Sequence, residues 1–309
     1  MASDSIRFVV LAYARYAPTM SLVNRIRELL PDAQIQIFLD HPKADSSPLV
    51  IQNNLKLQQD LKGLAIEDTQ LELVARERNL GTSHNLLDAL DQIQGYCDGF
   101  VVLEDDCEPD PLFFDFANRA VGFLSQDSDK KAVIFCGANH LLPPLSSLSR
   151  RAFTTPLSHV WGWGGMSANL PDLTGFIRQG PSLGDKEKIR TFIRGSIPYA
   201  PYRNHWNNLL ETNWGELSWD YRLQFWIWAR GYQCLISGAN LVRNIGFDPV
   251  ATNSSNFPDH YQNKVAKRYT MQRLIHPKAK FLIWWELTGY RAFALVRLIR
   301  MALTRKGSV

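Results

Sequence analysis

Between Ile6 and Cys136 the chain switches repeatedly between apolar runs and helical spacing, and this alternation leaves few architectures open. Ile6 to Ala12 is an apolar run of the kind seen in strands covered on both faces. Leu22, Ile26, Leu29 and Leu30 then repeat at helical spacing until Pro31 stops them. A second strand, Ile35 to Leu39, ends at Asp40, and a helical stretch over residues 48–62 follows. Leu71 to Ala75 reads as the third strand. Thr82 or Ser83 is placed to cap a helix carrying Leu86, Leu87, Leu90 and Ile93, closed by Gly95. Phe100 to Leu103 is the fourth strand, Asp110-Pro111 supplies an N-cap and first-turn proline, and Lys131 to Cys136 is the fifth. Strands alternating with helices predict βαβ units, a mostly parallel Rossmann-like sheet and an α/β fold with helices on both faces.

Such sheets bind ligands beyond the carboxyl ends of their strands. Two acidic features fall there: Asp40, and the triplet Glu104-Asp105-Asp106 inside "VVLEDDCEPD". A solvated turn would explain acids in general. Adjacent like charges beside a low-dielectric sheet nevertheless repel strongly, and a divalent cation relieves them. Mg²⁺ or Mn²⁺ takes oxygen ligands, commonly one or two carboxylates with phosphate oxygens and water. A metal-bound nucleoside diphosphate is therefore the expected ligand.

Beyond residue 140 the composition changes. "LLPPLSSLSRR" reads as a loop, and seven of the nine tryptophans lie between Trp161 and Trp228. Residues 1–140 are read as a nucleotide-sugar-binding half, 141–275 as an acceptor-binding half of the same domain, and 276–309 as a basic amphipathic C-terminal helical segment.

With these pieces in order, the sequence resembles the GT-A fold glycosyltransferases. The likeness is nearest to the N-acetylglucosaminyltransferase I and bacterial family-2-like sugar transferases that carry an EDD form of the acidic DXD motif. It is carried by "LAYAR", "RERNLG", "VVLEDDCEPDPLFFDF", "WGWGGM", "SWDYRLQFWIWARG" and "NLVRNIGFDPVATNSS". The resemblance implies transfer of a sugar from a nucleotide-diphosphate donor, with UDP the expected nucleotide, to a saccharide or lipid-linked acceptor. It makes Asp106 the metal ligand, and points Asp105 and Glu104 at the ribose and sugar hydroxyls. Tyr13, Arg15 and Asp40 fall in the nucleoside pocket. Arg78, ahead of a helix N-terminus, is suited to diphosphate oxygens, the alternative being a surface ion pair with Glu77.

An inverting transfer needs a carboxylate to take the acceptor's proton. Asp220, in the first turn of a helix that Ser218 can cap and Gly231 can end, is the expected base, with Glu216 in reserve and Glu211 behind it. An acid in a first turn is also favoured by the helix dipole alone. Trp161 and Trp163 alternate along an expected strand, so both are read as facing one side and offering a sugar platform, against the rival of core packing. One departure stands out: relatives commonly end the "NIGF…AT" segment with a histidine, where Asn253 stands here, and His260 is the nearest later substitute.

Residues 281–306 mix large apolar side chains with Arg291, Arg297, Arg300, Arg305 and Lys306. Glu286 and the arginines interrupt a membrane span, so a helix lying on an anionic bilayer is expected, against packing on the protein itself. The N-terminal stretch has no basic leader, and four cysteines without zinc spacing suit a reducing compartment. The expectation is a cytoplasmic protein at the inner face of the membrane. A net charge of +4, with no arginine stripe interleaved with aromatics, argues against a nucleic-acid partner. A nucleotidyltransferase would need a glycine-rich loop after the first strand, and "LAYARYAPTM" has none. A non-catalytic carbohydrate-binding protein would have no use for both Asp106 and Asp220.

Overall fold

The computed structural model describes residues 6–127, 129, 131–139, 152–197 and 200–246. Within them the βαβ alternation is realised as expected. Strand β1 (Ile6–Ala12) leads through α1 (Tyr16–Leu29) to β2 (Gln34–Leu39), and α2 (Pro48–Glu67) leads on to β3 (Leu71–Ala75). After α3 (Gly81–Ile93) comes β4 (Gly99–Glu104), then the three-residue β5 (Cys107–Pro109), α4 (Pro111–Gln126) and β6 (Ala132–Cys136). Strands β1, β2, β3 and β4 pair in parallel.

The second half of the chain completes this sheet rather than standing beside it. It contributes β7 (Phe153–Thr155), β8 (Trp163–Met166), α5 (Leu170–Gln179), α6 (Leu183–Ser196), α7 (Ala200–Glu211), α8 (Trp219–Arg230), β9 (Gln233–Ile236) and β10 (Val242–Asn244). The eight-stranded order is β3-β2-β1-β4-β8-β6-β9-β7, while β5 and β10 form a separate ribbon. Strand β8 runs antiparallel between β4 and β6. Its glycines make this possible: a Cβ on Gly164 would overlap the carbonyl oxygen of Phe100, and one on Gly165 would sit 2.8 Å from that of Val133.

The sheet is sandwiched. Ile6, Phe8, Val10 and Ala12 pack against α1, α2 and α4 on one face. Val9 and Leu11, pointing the other way along the same strand, join α3 and α5 to α8. Most of the tryptophans belong to this second face. Trp206 packs edge-on against Trp228, with centroids 4.6 Å apart, and Phe192 stacks on Trp228 at 4.8 Å. Helix α8 is its centre, buried from Arg222 to Ala229. Gln224 Nε2 and Trp228 Nε1 both donate to the carbonyl of Pro156, and Gln224 Oε1 accepts from the Ser158 amide. Trp226 Nε1 donates to Asp172, which with Asp185 also holds Arg230. A helix pinned by this many buried polar contacts presents its first turn in one orientation. Gly231, at φ 67°, ends it as the sequence predicts.

Among the described residues no helix is long and apolar enough to cross a membrane. The 281–306 segment, Asn253 and His260 lie outside the described residues.

Candidate active site

The acidic triplet occupies a bend clamped from both sides. Phe100 to Leu103 are buried in the sheet, so Glu104 is the first residue of β4 to emerge from it. The Asp105 amide donates to Leu11 O at 2.9 Å, tying the bend to the end of β1. After the bend, β5 pairs antiparallel with β10, and the Ile245 amide donates to Asp106 O at 2.8 Å. The loop after β10 is thereby laid against Asp106.

Three half-buried carboxylates meet there. Asp105 turns toward β1, its Oδ2 accepting the Tyr13 N–H at 3.0 Å. Asp106 Oδ2 lies 3.7 Å from an Arg15 guanidinium nitrogen, and the same guanidinium donates to Gly246 O at 3.2 Å. Burial pushes the Glu104 carboxyl up to about 8, helped by the charges of Asp106, Asp105 and Asp220 and opposed by Arg15. Burial and then Asp106 raise Asp105 to about 7, while the Tyr13 N–H and Arg15 pull it back. Among the described residues the bend gathers three carboxylates beside the single guanidinium of Arg15.

Asp220 faces this bend from α8. The link is aromatic. Trp163 sits opposite Val102 in the β4–β8 register, two residues before Glu104, and stacks on Trp219 with centroids 5.7 Å apart and planes 25° from parallel. That stack draws the first turn of α8 to the end of β4. The Asp220 charge is felt at Glu104, and Asp220 Oδ1 is buried without a hydrogen-bond partner among the described residues. A buried carboxylate oxygen with no donor is costly unless a ligand supplies one. Ser218 occupies the N-cap position but makes no capping bond, and on its own helix Asp220 is attracted by the Arg222 charge.

The geometry tests a divalent ion through its donor set. Among the described residues no three Asp, Glu, His or Cys side chains converge as a cage. A site of one or two carboxylates completed by phosphate and water does not need one, and excess hard oxygen charge at Glu104–Asp106 suits Mg²⁺ or Mn²⁺.

Several sequence-derived assignments change on the structure. Trp161 and Trp163 do not share a side. Gly162, at φ 60°, turns the chain between them, and β8 begins only at Trp163. Trp163 is 1% exposed in the α5–α8 core and cannot offer a face to a sugar, whereas half-buried Trp161 packs on the opposite cluster. Asp40 is 5% exposed, and both its oxygens are engaged. They accept from the amides of His41, Leu80 and Gly81 and from Asn79 Nδ2, which takes up a carboxylate's full acceptor capacity. It is Asp40, from a neighbouring strand end, that caps α3, and the helix begins at Gly81, so neither Thr82 nor Ser83 does so. Of the N–H groups expected there for a diphosphate, those of Leu80 and Gly81 already face a carboxylate.

Arg78 is exposed and makes no hydrogen bond or ion pair among the described residues; the pair with Glu77 does not form. Glu211 is paired with Arg190 and Lys186 on the surface, and exposed Glu216 accepts from Asn213. Among the described residues neither is bonded to the acidic bend. Tyr13 lies at the site's rim, its hydroxyl bonded to Ser46 and to the Lys43 amide.

Two residues escaped the sequence reading. Asn54 donates to the carbonyls of Tyr13 and Asp40 and so splices the ends of β1 and β2. A polar residue in the apolar stripe with Leu57 and Leu61 was its signal. Gly246 packs so tightly that a Cβ would overlap the Asp106 carboxylate and approach an Arg15 nitrogen to 2.7 Å. Nothing in the sequence short of the pairing of β5 with β10 announces that.

No protein-family profile matches the chain, and no curated protein sequence does. Several solved structures are similar in fold. One is the mannosyltransferase PcManGT from Pyrobaculum calidifontis in complex with GDP-Man and Mn²⁺, at 13% identity and TM-score 0.38, covering 74% of each chain. Another is GalNAc-T7 with UDP, GalNAc and Mn²⁺, at 11% identity and TM-score 0.46, covering 76% of this chain and 42% of that one. A third is the Mycobacterium tuberculosis glucosyl-3-phosphoglycerate synthase with Mn²⁺, UDP and phosphoglyceric acid, at 16% identity and TM-score 0.33, covering 57% of this chain and 66% of that one.

Proposed function

We propose that this chain is a GT-A type glycosyltransferase that moves a sugar from a nucleotide-diphosphate donor to a saccharide or lipid-linked acceptor with inversion. UDP is the nucleotide the sequence resemblance implies. The observation that carries the reading is the approach of Asp220, at the start of α8, to Glu104-Asp105-Asp106 at the end of β4, the Asp220 Oδ1 being buried and without a donor among the described residues.

The chemistry divides between them. The acceptor hydroxyl attacks the anomeric carbon, the bond from that carbon to the diphosphate oxygen breaks, and the nucleoside diphosphate leaves with the bonding pair. Asp220 takes the hydroxyl proton as general base. A divalent ion held by Asp106 would neutralise charge on the diphosphate. Asp105, anchored by the Tyr13 amide, and Glu104 are placed to orient donor hydroxyls; both start protonated often enough near neutrality to donate as well as accept. Arg15 and exposed Arg78 are the guanidinium groups available to phosphate oxygens. Contact of residues 281–306 with a membrane belongs to the same proposal and suits a lipid-linked acceptor.

A screen of hydrolysis across several sugar nucleotides, read by release of the nucleoside diphosphate, identifies the donor. With that donor, Asp220→Asn abolishes transfer while donor affinity stays near wild type. Equal loss of both assigns Asp220 to structure and removes the base from the scheme.

A further inference from the structure

Arg15 occupies an unusual position. It is a cation at the acidic bend, and its guanidinium stands 3.7 Å from Asp106 Oδ2. The other arm of that guanidinium holds Gly246 O at 3.2 Å, in the loop that β10 lays against Asp106. Gly246 leaves no spare room, since even a methyl group there would collide with both partners. A side chain with this reach contacts the carboxylate and the backbone just beyond β10 at once.

We infer that Arg15 is an internal counter-cation that competes with the divalent ion for Asp106 and yields to it only when a diphosphate gives the guanidinium a better partner. The inference rests on the proposed function. Its physical basis is simple. Two cations on one carboxylate repel, so an ion arriving alone must bind against Arg15 or displace it. A diphosphate removes that penalty, because phosphate oxygens accept the planar guanidinium fork bidentately. Ion and nucleotide thus bind cooperatively, and the coupling is reciprocal. The same movement releases Gly246 O.

The test is binding of Mn²⁺, alone and with added nucleoside diphosphate, to the wild-type full chain and to Arg15→Gln and Arg15→Lys. An ion pair of this kind is worth about a two- to fivefold change in affinity. Arg15→Gln therefore binds Mn²⁺ alone more tightly than wild type by about that factor, and the enhancement given by the diphosphate shrinks correspondingly. Arg15→Lys keeps the charge, so Mn²⁺ alone binds within about twofold of wild type while the enhancement still falls, because the fork is lost. A merely structural arginine would weaken Mn²⁺ binding when removed. Unchanged or weaker Mn²⁺ binding by Arg15→Gln overturns the inference and leaves the proposed function standing. If Arg15→Gln does not fold, undiminished enhancement in Arg15→Lys overturns it instead. A wild-type chain that binds Mn²⁺ neither alone nor with diphosphate brings down both.

Discussion

Replacing Glu104 by glutamine removes one negative charge from the bend at almost constant volume, and the structure dictates how the effect depends on pH. The Glu104 carboxyl is raised from 4.5 to about 8, by burial first and then by Asp106, Asp105 and Asp220. A folded-state value above the unfolded one means that the native protein holds a proton the unfolded chain has released. The stabilising contribution is therefore complete below about pH 4.5, declines through the interval between, and is gone above about pH 8. At about 1.4 kcal/mol per pH unit the whole displacement sets a ceiling of about 5 kcal/mol. Asp105, itself raised to about 7, supplies part of the charge behind that displacement and gains a proton over much of the same range, so about 2 kcal/mol is the expected change. Glutamine carries no such dependence. Urea unfolding in the presence of a chelator should find Glu104→Gln near wild type at pH 5 and about 2 kcal/mol more stable at pH 8. Added Mn²⁺ should narrow that gap by stabilising the wild type preferentially. A difference that stays constant from pH 5 to pH 8 refutes the reasoning, because Glu104 would then not be the charged group being buried.

Gly246→Ala forces a methyl group into the Asp106 carboxylate and the Arg15 guanidinium, an overpacking of about 1–3 kcal/mol at the bend. Nucleotide affinity in Mn²⁺, measured by calorimetry, should fall by about tenfold or more, and unchanged affinity would detach the loop after β10 from the site. Trp163→Ala empties a 1% exposed core position beneath Trp219 and should cost about 3–5 kcal/mol in denaturant unfolding. A cost below about 1 kcal/mol would return this indole to the role of an exposed platform.

The parallel βαβ scaffold was legible because each element carries its own period. Val9 and Leu11 alternate with Ile6, Phe8 and Val10, and both sets find a helix layer. The acidic bend was legible for a related reason: three charges directly after a buried run have to sit at a strand end. Strand β8 hid its true neighbours. Its four residues "WGGM" carry too short a pattern to reveal an antiparallel insertion between β4 and β6, and the left-handed turn at Gly162 reversed the facing of the two tryptophans. Strands β5, β7 and β10, three residues each, are fixed only by long-range pairing. Asp40 misled for another reason. Position at a strand end is shared by ligand-binding acids and by those that cap the next helix. Only the amides of Leu80 and Gly81, forty residues away, distinguish the two. The abundance of tryptophan likewise served the packing around α8 more than any surface.

The account stands most directly on whether the bend after β4 binds a nucleoside diphosphate through a divalent ion. Calorimetric titration of the wild-type chain and of Asp106→Ala with UDP, in Mn²⁺ and in chelator, measures this. The account predicts that Mn²⁺ tightens UDP binding by about tenfold or more in the wild type and has little effect in Asp106→Ala. Equal UDP affinity with and without Mn²⁺ in the wild type, or an enhancement that survives the loss of Asp106, would contradict it.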